Sequence, residues 1–140
     1  PVEIEARRAP SLRFGTGRIL FMDDDPKICE LTASMLTSLD YSFDIAKDGA
    51  EAITFYRRYL KIGRPYDAVI MDLTIVGGMG GEGAFRELRE LDPDVRAIVS
   101  SGYDNDEMAQ RFLDLGFCGY LTKPYRVGGL GKIIKTVLGK

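Results

Sequence analysis

Histidine and tryptophan are missing from this chain of 140 residues, and cysteine occurs only twice. The two thiols, Cys29 in a helical pattern and Cys118 at the start of a strand pattern, have no metal-ligand spacing. They read as unpaired packing thiols suited to a reducing cytoplasm. No apolar run approaches the roughly 18 residues of a membrane span, and no signal peptide opens the sequence. A cytoplasmic location is expected, with no membrane contact by this domain. Like charges are not blocked together: 19 Lys and Arg are interspersed with 21 Asp and Glu, for a net charge of −2. That balance offers no basic stripe for nucleic acid.

What is present suffices for one compact α/β domain. At 45% hydrophobic residues the chain can bury a core, yet it is too short for two ordinary domains. Because it opens on Pro1 rather than Met, it reads as a piece of something longer. The stretch PVEIEARRAPSLRFGTG, residues 1–17, has prolines and glycines but no steady period, and reads as a linker into a domain at 18–140.

From Arg18 the sequence alternates five times between a short apolar run and an amphipathic helix. The expected strands are ILFM (19–22), SFDIA (42–46), YDAVIM (66–71), VRAIV (95–99) and CGYLT (118–122). Asp25 and Pro26 mark the first helix start, whose buried face is expected to carry Ile28, Leu31, Met35 and Leu39. Asp48 with Glu51, and Asp104 with Glu107, fit capping boxes. Ala52, Ile53, Phe55, Tyr56, Tyr59 and Leu60 form the second helix's apolar side. A glycine-rich turn at 77–83 leads to a third helix bearing Phe85, Leu88 and Leu91, ended by Asp92 and Pro93. Met108, Phe112, Leu113 and Leu115 populate the fourth helix, and Val127, Leu130, Ile134, Val137 and Leu138 the fifth. Continuous apolar strands between such helices predict a parallel sheet covered on both faces.

Four of these strands end in residues that a phosphate-handling site needs: Asp23 and Asp24, Asp72, Ser100, and Lys123. In open α/β sheets ligands sit beyond the carboxyl ends of the strands, where these residues fall. Crowded carboxylates repel one another unless a cation compensates, and magnesium suits a site of few carboxylates and several waters. Beside such a metal, Asp72 is placed as an in-line nucleophile toward a phosphoryl group. Lys123 would neutralise one phosphoryl oxygen, and the Ser100 hydroxyl would hydrogen-bond another. Singly, each residue could do no more than cap a turn or sit solvated in a loop. In this order on these strand ends, the set points to acyl phosphate formation on Asp72.

The residues resemble the receiver domains of two-component response regulators. RILFMDDDP is similar to that family's first strand and acidic pair, YDAVIMDLT to its phosphoacceptor strand, AIVSSGY to its switch-hydroxyl strand, and GYLTKPY to its lysine and cis-proline corner. The resemblance spans 18–138 and implies a flavodoxin-like (βα)5 three-layer sandwich with a five-stranded sheet of order 2-1-3-4-5. It further implies Asp72 as phosphoacceptor, Asp24 as direct magnesium ligand, Asp23 as a ligand through water, and the main-chain carbonyl of Thr74 completing the protein's share of the shell. Ser100 matches the switch hydroxyl, and Tyr120 the aromatic that rotates with it.

The loop after the acceptor, DLTIVGGMGGEGA, has Val76 where most receivers have proline, and one extra glycine. This form is similar to receivers attached to hybrid sensor histidine kinases, so a hybrid kinase parent is expected, with the domain last in its chain. With no histidine here, the phosphodonor lies elsewhere, on a histidine kinase or histidine phosphotransfer protein. As an isolated domain the chain is expected to be no enzyme beyond self-phosphorylation and autodephosphorylation. A homodimer through the fourth helix, fifth strand and fifth helix is a further expectation.

Three other readings compete on the residues. A phosphorylation-independent interaction module of this fold usually lacks an acid or the lysine, and this chain keeps them all. An aspartyl phosphohydrolase needs a second aspartate two residues beyond the nucleophile, where Thr74 stands. A flavin site is disfavoured because three successive aspartates, Asp23 to Asp25, follow the first strand.

Overall fold

The apolar runs pair as five parallel strands in the order β2-β1-β3-β4-β5. In chain order the elements are β1 Arg18–Met22, α1 Pro26–Ser38, β2 Ser42–Ala46, α2 Gly49–Lys61, β3 Ala68–Asp72, α3 Gly81–Leu91, β4 Ala97–Ser101, α4 Asp106–Leu115, β5 Gly119–Thr122 and α5 Val127–Leu138. This computed structural model describes residues 17–72, 81–102 and 106–139. The flavodoxin-like order expected from the sequence is the one observed.

Strand alternation splits the core in two. Leu20, Met22, Val69, Met71, Ala97 and Val99 join Ala52, Ile53 and Tyr56 of α2, Phe85 and Leu88 of α3, and Phe112 of α4 in one buried cluster. Ile19, Phe21, Ala68, Ile70 and Ile98 join Leu36 of α1 with Leu130 and Ile134 of α5 in the other. Continuous apolar sequence in β1, β3 and β4 follows from burial on both faces. Two buried tyrosines find acceptors for their hydroxyls: Tyr56 donates to Asp92 at 2.6 Å and Tyr66 to Asp44 at 2.6 Å.

The helix starts follow the capping logic of the sequence. Asp25 accepts from the Lys27 amide with Pro26 in the first turn, and Asp48 accepts from the Glu51 amide at 2.9 Å. Glu51 reaches one residue further back than a capping box predicts, accepting from the Lys47 amide at 2.8 Å. The proposed box at Asp104 and Glu107 lies outside the described residues at Asp104, as do the linker 1–16 and the loop 73–80.

Several element edges differ from the sequence reading. β3 begins at Ala68 rather than Tyr66, because Asp67 is engaged in a clasp with the start of β1: its amide donates to the Arg18 carbonyl at 2.8 Å and its carboxylate accepts from the Arg18 amide at 2.7 Å. β4 begins at Ala97 rather than Val95, whose amide closes a turn onto the Asp92 carbonyl. β5 starts after the exposed Cys118, and α3 starts at Gly81, so residues 81–83 of the expected turn are helical. On α1 the fully buried side chains are Thr32 and Leu36, leaving Leu31 54% exposed. Leu113, Leu115 and Val127 are likewise exposed rather than core.

Candidate functional site

Period-two alternation and register bring the strand-end residues together. Asp23 continues the face of Ile19 and Phe21, Asp72 that of Ala68 and Ile70, Ser100 that of Ile98, and Lys123 that of Leu121, all on the α1 and α5 side of the sheet. Met22 pairs with Met71, so Asp23 and Asp72 occupy the next step of adjacent strands, and Asp72 itself pairs with Ser100. The Asp23 amide extends the ladder to the Ala46 carbonyl at 3.0 Å, and the Lys123 amide reaches the Ser101 carbonyl at 2.7 Å.

The result is an acidic cluster with one cation at its edge. Asp23, Asp24 and Asp72 each offer a carboxylate oxygen, all within 4.8 Å of one another; Asp23 and Asp72 are buried and Asp24 exposed. Lys123 Nζ lies 2.8 Å from Asp23 Oδ2 and 3.3 Å from Asp72 Oδ2. Burial pushes the Asp23 carboxyl above its ordinary range; the Lys123 hydrogen bond and the Asp25 amide oppose the shift, and the Asp72 charge adds to it. Burial works against the Lys123 charge, but its hydrogen bond to Asp23 and the two nearby carboxylates outweigh this, and its pKa is raised. These directions agree physically: the lysine is content among acids, whereas the most buried acid has less compensation than it needs.

That shortfall bears on a metal. Three carboxylates against one ammonium leave two negative charges when all are ionised. All the donors of the acidic cluster are carboxylate oxygens, the donor type of a hard divalent cation, so the residues present fit magnesium. Thr74, whose carbonyl the family resemblance adds, lies outside the described residues.

The two residues that the resemblance reads as a switch are placed differently from each other. Ser100 is fully buried, and its Oγ has no hydrogen-bond partner among the described residues. Tyr120 pairs in register with Val99, one step before the Ser100 and Leu121 pair, and its ring lies 6.3 Å from that of Phe112 on α4. The peptide bond between Lys123 and Pro124 is cis, as the resemblance implies.

Sequence reasoning passed over three side chains around this cluster. Cys29, read as a packing thiol, donates its Sγ–H to the Asp23 carbonyl at 3.2 Å. Its thiol is pushed up to about 11, by burial first and then by the charges of Asp23, Asp25 and Asp24. Thr32 Oγ1 and Tyr125 Oη lie 2.8 Å apart, joining α1 to the corner that follows Lys123. Thr32 had one available signal, a hydroxyl residue inside an otherwise apolar helical stripe.

Comparison with known proteins shows the family. The family model of the response regulator receiver domain matches residues 19–135. The chain is 32% identical over 122 residues to the regulatory protein VanRB of Enterococcus faecalis, covering 86% of this chain and 52% of that protein. It is 29% identical over 126 residues to the sensor kinase CckA of Brucella abortus, covering 90% of this chain and 13% of that one. The chain thus spans about half or less of these relatives' lengths. A receiver domain of a Pseudomonas aeruginosa sensor histidine kinase, solved with a magnesium ion coordinated in its active-site cleft, superposes with a TM-score of 0.75 at 28% identity, covering 89% of this chain and 98% of that one. A chain of the CheX and CheY complex with BeF3 and magnesium from Borrelia burgdorferi shares the fold, with a TM-score of 0.80 at 23% identity over 89% of this chain and 90% of that one. The chain belongs to the response regulator receiver domain family of two-component signalling. Its relatives include the receivers of hybrid sensor kinases.

Proposed function

We propose that this receiver accepts a phosphoryl group on Asp72 from a phosphohistidine of a histidine kinase or histidine phosphotransfer protein. The observation that carries the proposal is the buried Asp72 carboxylate, held at a strand end with Asp23 and Asp24 and with Lys123 Nζ at 3.3 Å. An Asp72 oxygen attacks phosphorus, the P–N bond breaks, and the imidazole leaves with the bonding pair and takes a proton from solvent. A mixed anhydride remains on Asp72, and its hydrolysis returns carboxylate and phosphate. Asp23, Asp24, Asp72 and the Thr74 carbonyl would hold a magnesium ion, which when bound offsets the carboxylate charge and orients phosphoryl oxygens. Lys123 exchanges part of its carboxylate contact for a phosphoryl oxygen, and the Ser100 hydroxyl donates to another.

Movement of Ser100 toward the phosphoryl group gives Tyr120 room to rotate, biasing the face formed by α4, β5 and α5. That face would then meet a parent kinase, a phosphotransfer protein or a second copy. A hybrid kinase parent is supported by the DLTIVGGMGG loop and by the similarity to sensor-kinase receivers. By itself the domain performs only its own phosphorylation and dephosphorylation.

Incubation with acetyl phosphate and magnesium tests the proposal. The wild-type chain should gain one hydroxylamine-labile phosphate by intact mass, and Asp72→Asn should gain none. An unlabelled wild type, or an equally labelled Asp72→Asn, overturns it.

A further inference from the structure

Helix α1 is tied to the site at two points one turn apart. Cys29 and Thr32 stand three residues apart and so share a helix face. Cys29 Sγ donates to the carbonyl of Asp23 at 3.2 Å, on the acidic loop. Thr32 Oγ1 is 2.8 Å from Tyr125 Oη, two residues beyond Lys123. One helix therefore spans from the acid that Lys123 contacts to the corner that carries Lys123.

The Thr32 and Tyr125 pair is built as an internal link. Thr32 is fully buried, so a hydroxyl there without a partner would cost stability, and Tyr125 from a distant segment satisfies it. Tyr125 packs against the cluster of α1 and α5 and lines, with Ile28, Leu31, Thr32, Lys123 and Pro124, a groove of about 280 Å³ beside the acids. Lys123 has a long stem, and its own backbone is fixed by the ladder bond to Ser101. Beyond that bond the chain turns, and the Tyr125 hydroxyl is the next polar anchor, set against α1.

We infer, on the phosphoacceptor reading above, that Thr32 and Tyr125 are positioning residues that hold the Lys123 corner at its working distance from Asp23 and Asp72. Neither touches the reacting atoms. Their bond fixes where the ammonium waits, so that phosphoryl transfer finds it in place rather than recruiting it from a spread of positions.

The test uses Thr32→Val, Thr32→Ser, Tyr125→Phe and the Thr32→Val/Tyr125→Phe double variant, each phosphorylated with acetyl phosphate. Loss of one neutral hydrogen bond should slow labelling roughly three- to tenfold in Thr32→Val and Tyr125→Phe. The double variant should be no slower than either single one, and Thr32→Ser should label near the wild-type rate. Magnesium affinity by calorimetry should not weaken, since the acids keep their places. Wild-type rates in Thr32→Val and Tyr125→Phe overturn the inference, as does a Thr32→Ser as slow as Thr32→Val, which would show that keeping the hydroxyl does not keep the rate. Additive losses, or weaker magnesium binding in step with the rate, also overturn it. These outcomes are read only against a wild type that labels on Asp72, so failure of the phosphoacceptor reading appears separately, as an unlabelled wild type.

Discussion

Removing the Ser100 hydroxyl should stabilise the resting protein and weaken its activated state. Ser100 is fully buried near the end of β4, beside Asp72 in register, and its Oγ lacks a hydrogen-bond partner among the described residues. A buried donor left unpaired costs about 1–3 kcal/mol of desolvation. Ser100→Ala recovers that cost and loses only the contacts of one oxygen, for a net gain of about 1 kcal/mol, or roughly 4 °C in melting temperature for a domain of this size. With beryllofluoride and magnesium on Asp72 the sign reverses. The wild-type hydroxyl would then bond a charged acceptor, an interaction worth about 1.5–3 kcal/mol, which alanine cannot make. The resting gain and the activated loss combine to a coupling of at least about 2.5 kcal/mol, roughly 60-fold in affinity for the mimic. Thermal melting followed by far-UV circular dichroism suits a chain without tryptophan, run for both proteins with and without the mimic. A Ser100→Ala protein that melts lower than wild type at rest, or that gains as much from the mimic, refutes the reasoning.

Three further substitutions probe the site and the scaffold. Burial holds the Asp23 carboxyl above its ordinary value, so the folded metal-free chain keeps a proton there at pH values where the unfolded chain has lost it. That contribution is full below the ordinary carboxylate range and is lost as pH rises through the raised value, so the metal-free protein loses stability over that window. Urea melts at stepped pH should show the decline, and Asp23→Asn should flatten it; an unchanged slope in the variant counts against the assignment. Gly116 has φ of +116°, and a Cβ there would stand 2.5 Å from Arg89 Nη1. Gly116→Ala should therefore lower stability by about 1–3 kcal/mol, whereas Gly128→Ala, in open space on α5, should raise it by about 0.5–1 kcal/mol. Equal effects of the two in thermal melts would refute the strain argument.

That the sheet is parallel and covered on both faces was legible because every central strand is buried on both faces, which writes itself as an unbroken apolar run, whereas its order came with the family resemblance. The same rule misplaced two strand starts. Tyr66 and Val95 are nearly as buried as true strand residues, yet the backbone of Asp67 beside Tyr66 and that of Val95 itself are committed elsewhere, to the Arg18 clasp and the Asp92 turn. Hydropathy reports burial, and it says nothing about which backbone groups a distant segment has already taken. On α1 the error runs the other way. Leu31 was assigned to the core on its side chain alone, while the core position belongs to Thr32, whose hydroxyl is satisfied 93 residues away by Tyr125.

Asp23, Asp72, Ser100 and Lys123 were legible for a related reason: each ends a strand, and a parallel sheet gathers its strand ends at one edge. What composition could not show is that all four also share one parity of the pleat, so that the edge becomes a cluster on the α1 and α5 side rather than a line divided between two faces. Tyr120 falls on the opposite parity, whereas Asp24 lies past the end of β1 with its carboxylate still in the cluster. Asp24 is the exposed acid of the trio, and Tyr120 leans on Phe112 of α4. A side chain on the second face that must respond to an event on the first can do so only through the strand between them. Under the proposed switch, Ser100, buried near the end of β4 and next in the ladder to both Asp72 and Leu121, is the residue that would carry it.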